Sequence, residues 1–130
     1  MNDFEELKQA KAQCLADITE ALPDYANRLN SVDTRLLKYI EDAISNNASH
    51  ANLMELLGIR KEMRLMDSYD LDPERVKRSL RAIEGQWQGG RHVKGGLRFS
   101  TPRGSQHVRL MPFQAWLIFE IYAFKVDVPM

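Results

Sequence analysis

Apolar residues recur every three to four positions through the first two thirds of the chain, then alternate, then merge into a nearly unbroken apolar run. Asp3 and Glu6 stand at capping-box spacing, with Asp in place of the usual Ser or Thr. Phe4, Leu7, Cys14, Leu15, Ile18 and Leu22 predict a first helix that ends at Pro23. A turn over residues 24–29 then leads to Asp33. Leu36, Leu37, Ile40, Ala43 and Ile44 predict a second helix, closed by the polar run Ser45-Asn46-Asn47. Leu53, Leu56, Leu57, Ile59, Met63 and Met66 predict a third. Gly58 is expected to interrupt it, because glycine costs about 1 kcal/mol relative to alanine inside a helix. Asp72-Pro73-Glu74 is the clearest helix start: an N-cap acid, proline at the first position, then another acid. Val76, Leu80, Ile83 and Trp87 form the stripe that follows.

The character changes at residue 85. Gly85, Gly89, Gly90, Gly95 and Gly96 mark residues 85–96 as a flexible connection. Residues 97–100 and 106–110 alternate apolar with polar at period two, which predicts a hairpin around Thr101-Pro102-Arg103-Gly104. From Pro112 a helix begins whose residues Phe113, Ala115 to Phe119 and Ile121 to Phe124 leave almost no polar face. A helix apolar all round is buried on every side or lies against another body. A chain of 130 residues rarely surrounds one helix completely, so this one reads as cut from something longer.

Composition narrows the classes. The 44% hydrophobic and 28% charged content suits one globular domain. Eighteen basic residues balance eighteen acidic ones, yet unevenly. Residues 1–33 carry a net −4, whereas residues 85–119 carry five basic side chains and no acid. That second segment points to an anionic partner. Cys14 stands alone, which excludes an internal disulfide, and its helical spacing predicts a small buried residue. The acidic N-terminus is no secretory signal, and no run approaches the roughly 18 apolar residues of a membrane span. A cytoplasmic location without a membrane partner is expected, the host cytoplasm if the protein is viral.

Candidate chemistry is sparse. Gly90-Arg91-His92-Val93-Lys94-Gly95 has the spacing of a phosphate loop, but Gly96-Leu97 stand where Lys and Ser or Thr belong. Asp67, Asp70, Asp72 and Glu74 lack the glycine of a calcium loop, and helix capping accounts for Asp72 and Glu74. His50, His92 and His107 lack the spacing of a zinc helix and read as surface histidines. Ser100, Ser105 and His107 lie close in sequence without an acid beside them, which leaves a triad unsupported. Arg91, Lys94, Arg98, Arg103 and Arg109, interleaved with Trp87 and Phe99, suit either a nucleic-acid surface or a solvated loop balancing the acidic helices. Gln114 presents a donor and an acceptor matched to adenine, but taken alone it reads as a solvent-facing or capping residue.

The order of these features resembles the large terminase subunits of tailed bacteriophages. Three segments between residues 36 and 124 carry the likeness. The first is the helical region Leu53 to Met66, with Ile59-Arg60-Lys61-Glu62 and the trailing Asp67. The second is Tyr69-Asp70-Leu71-Asp72-Pro73-Glu74, followed by Val76, Leu80, Ile83 and Glu84. The third is Leu110-Met111-Pro112-Phe113-Gln114 with its apolar helix, similar to the family's Leu-x-Pro-Trp-Gln segment. Phe113 replaces the usual Trp, and Ala123 stands where Gly is common. The resemblance implies the N-terminal region of a DNA-packaging motor subunit, part of a larger α/β ATPase. Residues 1–84 would be its helical region. Residues 85–130 would be a glycine-rich basic loop, a hairpin and the adenine-side helix of an incomplete ATPase domain. Pro112, Phe113 and Gln114 would then serve the adenine of ATP. Arg91, Lys94, Arg98 and Arg103 would contact double-stranded DNA or other terminase and portal subunits. No metal site or catalytic residue is expected within these 130 residues, and turnover would need the phosphate side of the site. The fold class expected is mainly α, with a small β-hairpin before the apolar helix. Two alternatives stand beside this one: a free-standing helical adaptor or regulator, and a nucleic-acid-binding module.

Overall fold

The computed structural model describes residues 3–45 and 53–125. Within them the fold is mainly α. Five helices, α1 (Asp3–Val32), α2 (Thr34–Ser45), α3 (Leu53–Ser68), α4 (Pro73–Glu84) and α5 (Pro112–Tyr122), surround the core. Two antiparallel hairpins lie between α4 and α5: β1 (Gln86–Gln88) with β2 (Arg91–Lys94), and β3 (Arg98–Thr101) with β4 (Gly104–His107). Asn46, Asn47, His50 and the residues after 125 lie outside the described residues, and with them the expectations placed there.

The first helix corrects the expected stop at Pro23, because α1 continues through it to Val32. Interior proline costs about 3 kcal/mol. Beyond it, Tyr25, Leu29 and Val32 are buried and extend the stripe begun by Cys14 and Ile18. Each such side chain contributes about 1.5–3 kcal/mol on burial, so three of them outweigh the proline. The same arithmetic corrects Gly58. Helix α3 runs unbroken across it because Leu56, Ile59, Met63 and Met66 all enter the core.

Asp33 separates α1 from α2 and shapes the corner, its Oδ1 accepting the Arg35 N–H at 2.9 Å. Helix α3 lies along α1 in the same direction, pinned at one level by Arg60–Asp17 (2.8 Å) and further on by the Tyr25 hydroxyl on Asp67 (2.5 Å). Asp72 caps α4 as the sequence predicts, accepting the Arg75 N–H at 3.1 Å with Pro73 at the first helical position. Cys14 is fully buried, and burial pushes its thiol pKa up.

Helix α5 packs across α2 and α4. The Tyr39 ring stacks on Trp116 at 5.3 Å between centroids, and Ala115, Trp116, Phe119 and Ala123 are buried. Its far end is tied to the entry of α4 by Asp72 N–H to Ala123 O (2.6 Å) and Lys125 N–H to Asp70 O (3.0 Å). The burial is one-sided. Phe113, Leu117 and Ile121, one turn apart, are each more than half exposed. None of the described helices is long and apolar enough to cross a membrane.

Residues 85–96 are not a flexible connection, which is the third correction. Trp87 belongs to β1 and not to the α4 stripe, and the strands turn through Gly89-Gly90. Both glycines have positive φ, 57° and 77°, the requirement of a type I′ hairpin turn. At the hairpin's base a Cβ on Gly85 would sit 2.4 Å from Lys94 O, and one on Gly96 2.4 Å from the Glu84 carbonyl carbon. Glycine is needed there because two backbones touch. The second hairpin turns at Thr101 to Gly104 as expected, with the Thr101 hydroxyl bonded to Gly104 O at 2.7 Å.

Candidate functional site

The segment entering α5 is held from below by a buried ion pair. Glu84, at the last turn of α4, is 3% exposed. Its Oε2 and Oε1 accept Nη1 and Nη2 of Arg35 at 2.6 and 2.7 Å, a two-pronged contact. Oε2 also accepts the Leu110 N–H at 2.7 Å, while Arg35 Nη1 donates to Leu110 O at 3.1 Å. Both polar backbone groups of Leu110 are therefore fixed by one salt bridge. Asp33 completes the cluster, its two oxygens accepting Nε and Nη2 of Arg35 at 2.9 and 3.0 Å. The Glu84 hydrogen bonds, opposed by burial and helped by Asp33, hold the Arg35 pKa above its ordinary value. For Asp33, burial works upward but the Arg35 side-chain and backbone bonds overcome it, leaving the carboxyl below its usual range.

Two residues beyond Leu110, Pro112 opens α5 with its missing N–H at a position that needs none. The Gln114 Oε1 reaches back to accept the Met111 N–H at 2.8 Å. Gln114 is thus a helix-capping residue. The bond uses one lone pair of Oε1 and fixes the amide plane, and Nε2 makes no hydrogen bond among the described residues. The Phe113 ring beside it is 52% exposed. An aromatic face and a pre-oriented amide at one helix start can stack on and hydrogen-bond a flat heterocycle.

The basic residues split into two kinds. Arg109 is engaged, lying 4.9 Å over the Trp87 ring and 3.7 Å from Glu84 Oε2. Arg91, Lys94, Arg98 and Arg103 are exposed and form no salt bridge among the described residues. Arg91 and Arg103 stand at the hairpin tips, Lys94 and Arg98 at the bases. The hairpins distribute these charges along both ribbons and do not gather them into one pocket.

The remaining candidates resolve locally. Residues 91–94 form strand β2, so the phosphate-loop spacing falls on an extended ribbon. Ser100 pairs with Ser105 across the second hairpin, while the His107 ring stacks on His92 at 3.5 Å. Among the described residues no acid orients His107, and its Nδ1 is buried without a partner. Glu74 pairs with Lys77 at 3.7 Å.

Sequence reasoning overlooked the Arg35–Glu84 pair. One signal was available: an acid in the last turn of a helix opposes the helix dipole, so Glu84 called for a compensating cation. Nothing in the sequence named Arg35, 49 residues away. Also overlooked was Glu62, 8% exposed in the core with Oε2 unpartnered. Burial and the charge of Glu120, against a smaller opposing effect of Lys61, push its pKa up to about 7. No protein-family model, curated protein or solved structure matches this chain, so its site stands on its own geometry.

Proposed function

We propose that this chain is the helical N-terminal region of a DNA-packaging ATPase like the terminase large subunits, and that it supplies the adenine-side wall of the nucleotide site. The observation that carries this reading is the pairing at the start of α5: a half-exposed Phe113 ring beside a Gln114 amide whose orientation its capping bond sets. Capping and recognition are compatible. The second lone pair of Oε1 can accept from the adenine N6 amino group while Nε2 donates to N7. Pro112 fixes the helix start from which both side chains project.

The outward stripe Phe113, Leu117 and Ile121 supports the same reading, since it offers an apolar floor for the ATPase sheet. The four unpaired basic side chains Arg91, Lys94, Arg98 and Arg103 are the proposed contacts to double-stranded DNA or to neighbouring terminase and portal subunits. ATP hydrolysis belongs to the phosphate side of the site, and no residue described above performs it.

The test uses the complete polypeptide of the reading frame. Its codons after Met130 are expected to reach G-x-x-x-x-G-K-[ST]. In that polypeptide, Gln114→Ala should raise KM for ATP by about tenfold with kcat little changed, because two hydrogen bonds made equally in ground and transition state are lost. Unchanged KM and turnover would overturn the assignment. A reading frame without a phosphate loop would instead favour a helical adaptor.

A further inference from the structure

The two hairpins form separate sheets, with no ladder between them. They meet through their histidines. The imidazoles of His92 on β2 and His107 on β4 lie 3.5 Å apart between centroids and 8° from parallel. Trp87 meets His92 in a T-shaped contact, at 5.5 Å and 85°. The Trp87 indole N–H donates to Glu84 O at 2.8 Å, and Arg109 covers its ring. A continuous stack therefore runs from the end of α4 through the first hairpin to the second.

We propose that the His92–His107 stack is a proton-operated clasp between the hairpins, closed while His107 is neutral and open once it is charged. The hydrogen-bond inventory supports this. His92 Nε2 lies 2.7 Å from Gly95 O, a carbonyl that can only accept, so that nitrogen carries a hydrogen. His107 Nδ1 is buried with no partner, so the neutral ring carries its hydrogen on Nε2. Protonating His107 places a new N–H at Nδ1, where nothing accepts it. It also sets a cation against the His92 ring, 3.5 Å away between centroids.

The surrounding charges oppose that proton. Arg98 on β3 is the register partner of His107, Arg109 follows β4, and Lys94 ends β2. The nearest acid in the stack, Glu84 at the end of α4, is already shared by Arg35 and the Leu110 N–H. Burial first, then His92 and Arg98, hold the His107 pKa below the ordinary imidazole value. A lowered folded-state pKa means that the closed form binds the proton less tightly than the open one. The clasp is therefore complete above the unperturbed imidazole pKa of about 6.5 and weakens as pH falls below it. The Gly95-Gly96 joint, with φ of 74° and 78°, links the two ribbons, which would part beyond it.

Proton NMR on the chain tests this without reference to nucleotide or DNA. Ring-to-ring cross-peaks between His92 and His107 are expected at pH 8 and should be lost by about pH 5, while helical circular dichroism holds. His107→Phe keeps an uncharged flat ring, and its contact with His92 should survive at pH 5. Cross-peaks that persist in the wild type at pH 5, or are missing at pH 8, overturn the proposal. So does a His107→Phe protein that opens with acid as the wild type does. If that variant does not fold, the wild-type titration decides alone.

Discussion

The helices, within residues 3–45, 53–84 and 112–122, and the hairpin segment of residues 85–111 that joins the last two stretches, are built on different principles. In the first, Ile18, Leu29, Leu36, Ile40, Leu56, Ile59 and Val76 form a dry core in which any one contact is a small share of the total. In the second, the strands bury little. Position is set by a few specific contacts: the Arg35–Glu84 pair on Leu110, the glycine pinch at Gly85 and Gly96, and the histidine stack. Distributed apolar packing spreads the effect of a single change, whereas a segment hung on a few specific contacts responds to each of them. The candidate site lies where the two meet, and the placement of the segment entering α5 depends on the Glu84 carboxylate.

The sharpest way to break this contrast is Glu84→Ala. Removing one partner of a buried ion pair costs about 3–5 kcal/mol, here towards the lower end, because Asp33 still partners Arg35 while the Leu110 N–H loses its acceptor. Chemical denaturation should show that loss. Hydrogen exchange should rise first at Leu110 and the start of α5, before α1 and α3 respond. Equal loosening of both parts would erase the distinction.

Next in size is Glu62, whose unpartnered Oε2 is a polar defect in the helical core. Its folded pKa of about 7 exceeds the ordinary 4.5, so the folded state holds the proton more tightly than the unfolded chain. Stability is then greatest below 4.5, falls as pH rises towards 7, and is flat above. The gap corresponds to about 3 kcal/mol. Glu62→Gln should raise the melting temperature at pH 8 and flatten the dependence between pH 4.5 and 7. A wild type whose stability does not fall over that interval would contradict the burial of a bare carboxylate.

The smallest effects come from glycines, and they should differ in sign. Gly96→Ala meets backbone at 2.4 Å and a φ of 78°, and should destabilise by about 1–3 kcal/mol. Gly58→Ala meets nothing within 4 Å inside α3 and should stabilise by up to about 1 kcal/mol. Thermal melts of the two proteins read this directly. A Gly96→Ala protein as stable as the wild type would mean that the hairpin base is not pinched.

Much of the helical part was legible because its signals are local. The stripe from Leu36 to Ile44 and the Asp72-Pro73 start each need only a few neighbouring residues. Pro23 and Gly58 misled for a matching reason: their local effect is unfavourable, and the contacts that override it come from other helices. In the candidate site, Pro112, Phe113 and Gln114 were visible as a helix start. Their anchor was not, since Arg35 and Glu84 are 49 residues apart and share no periodicity.

By itself the sequence determined the mainly helical class, the cap of α4, the buried Cys14, the turn at Thr101 to Gly104 and the helix from Pro112. Each follows from backbone preferences and apolar spacing within one or two turns. Tertiary structure alone decided that α1 passes through Pro23, that Gly85 to Gly96 fold into a hairpin, and that α5 buries one face and leaves Phe113, Leu117 and Ile121 outward. It also chose the partners of Glu84 and His107. Those outcomes depend on which surfaces meet across the fold, and burial energy summed over several elements outweighs the preference of any single residue.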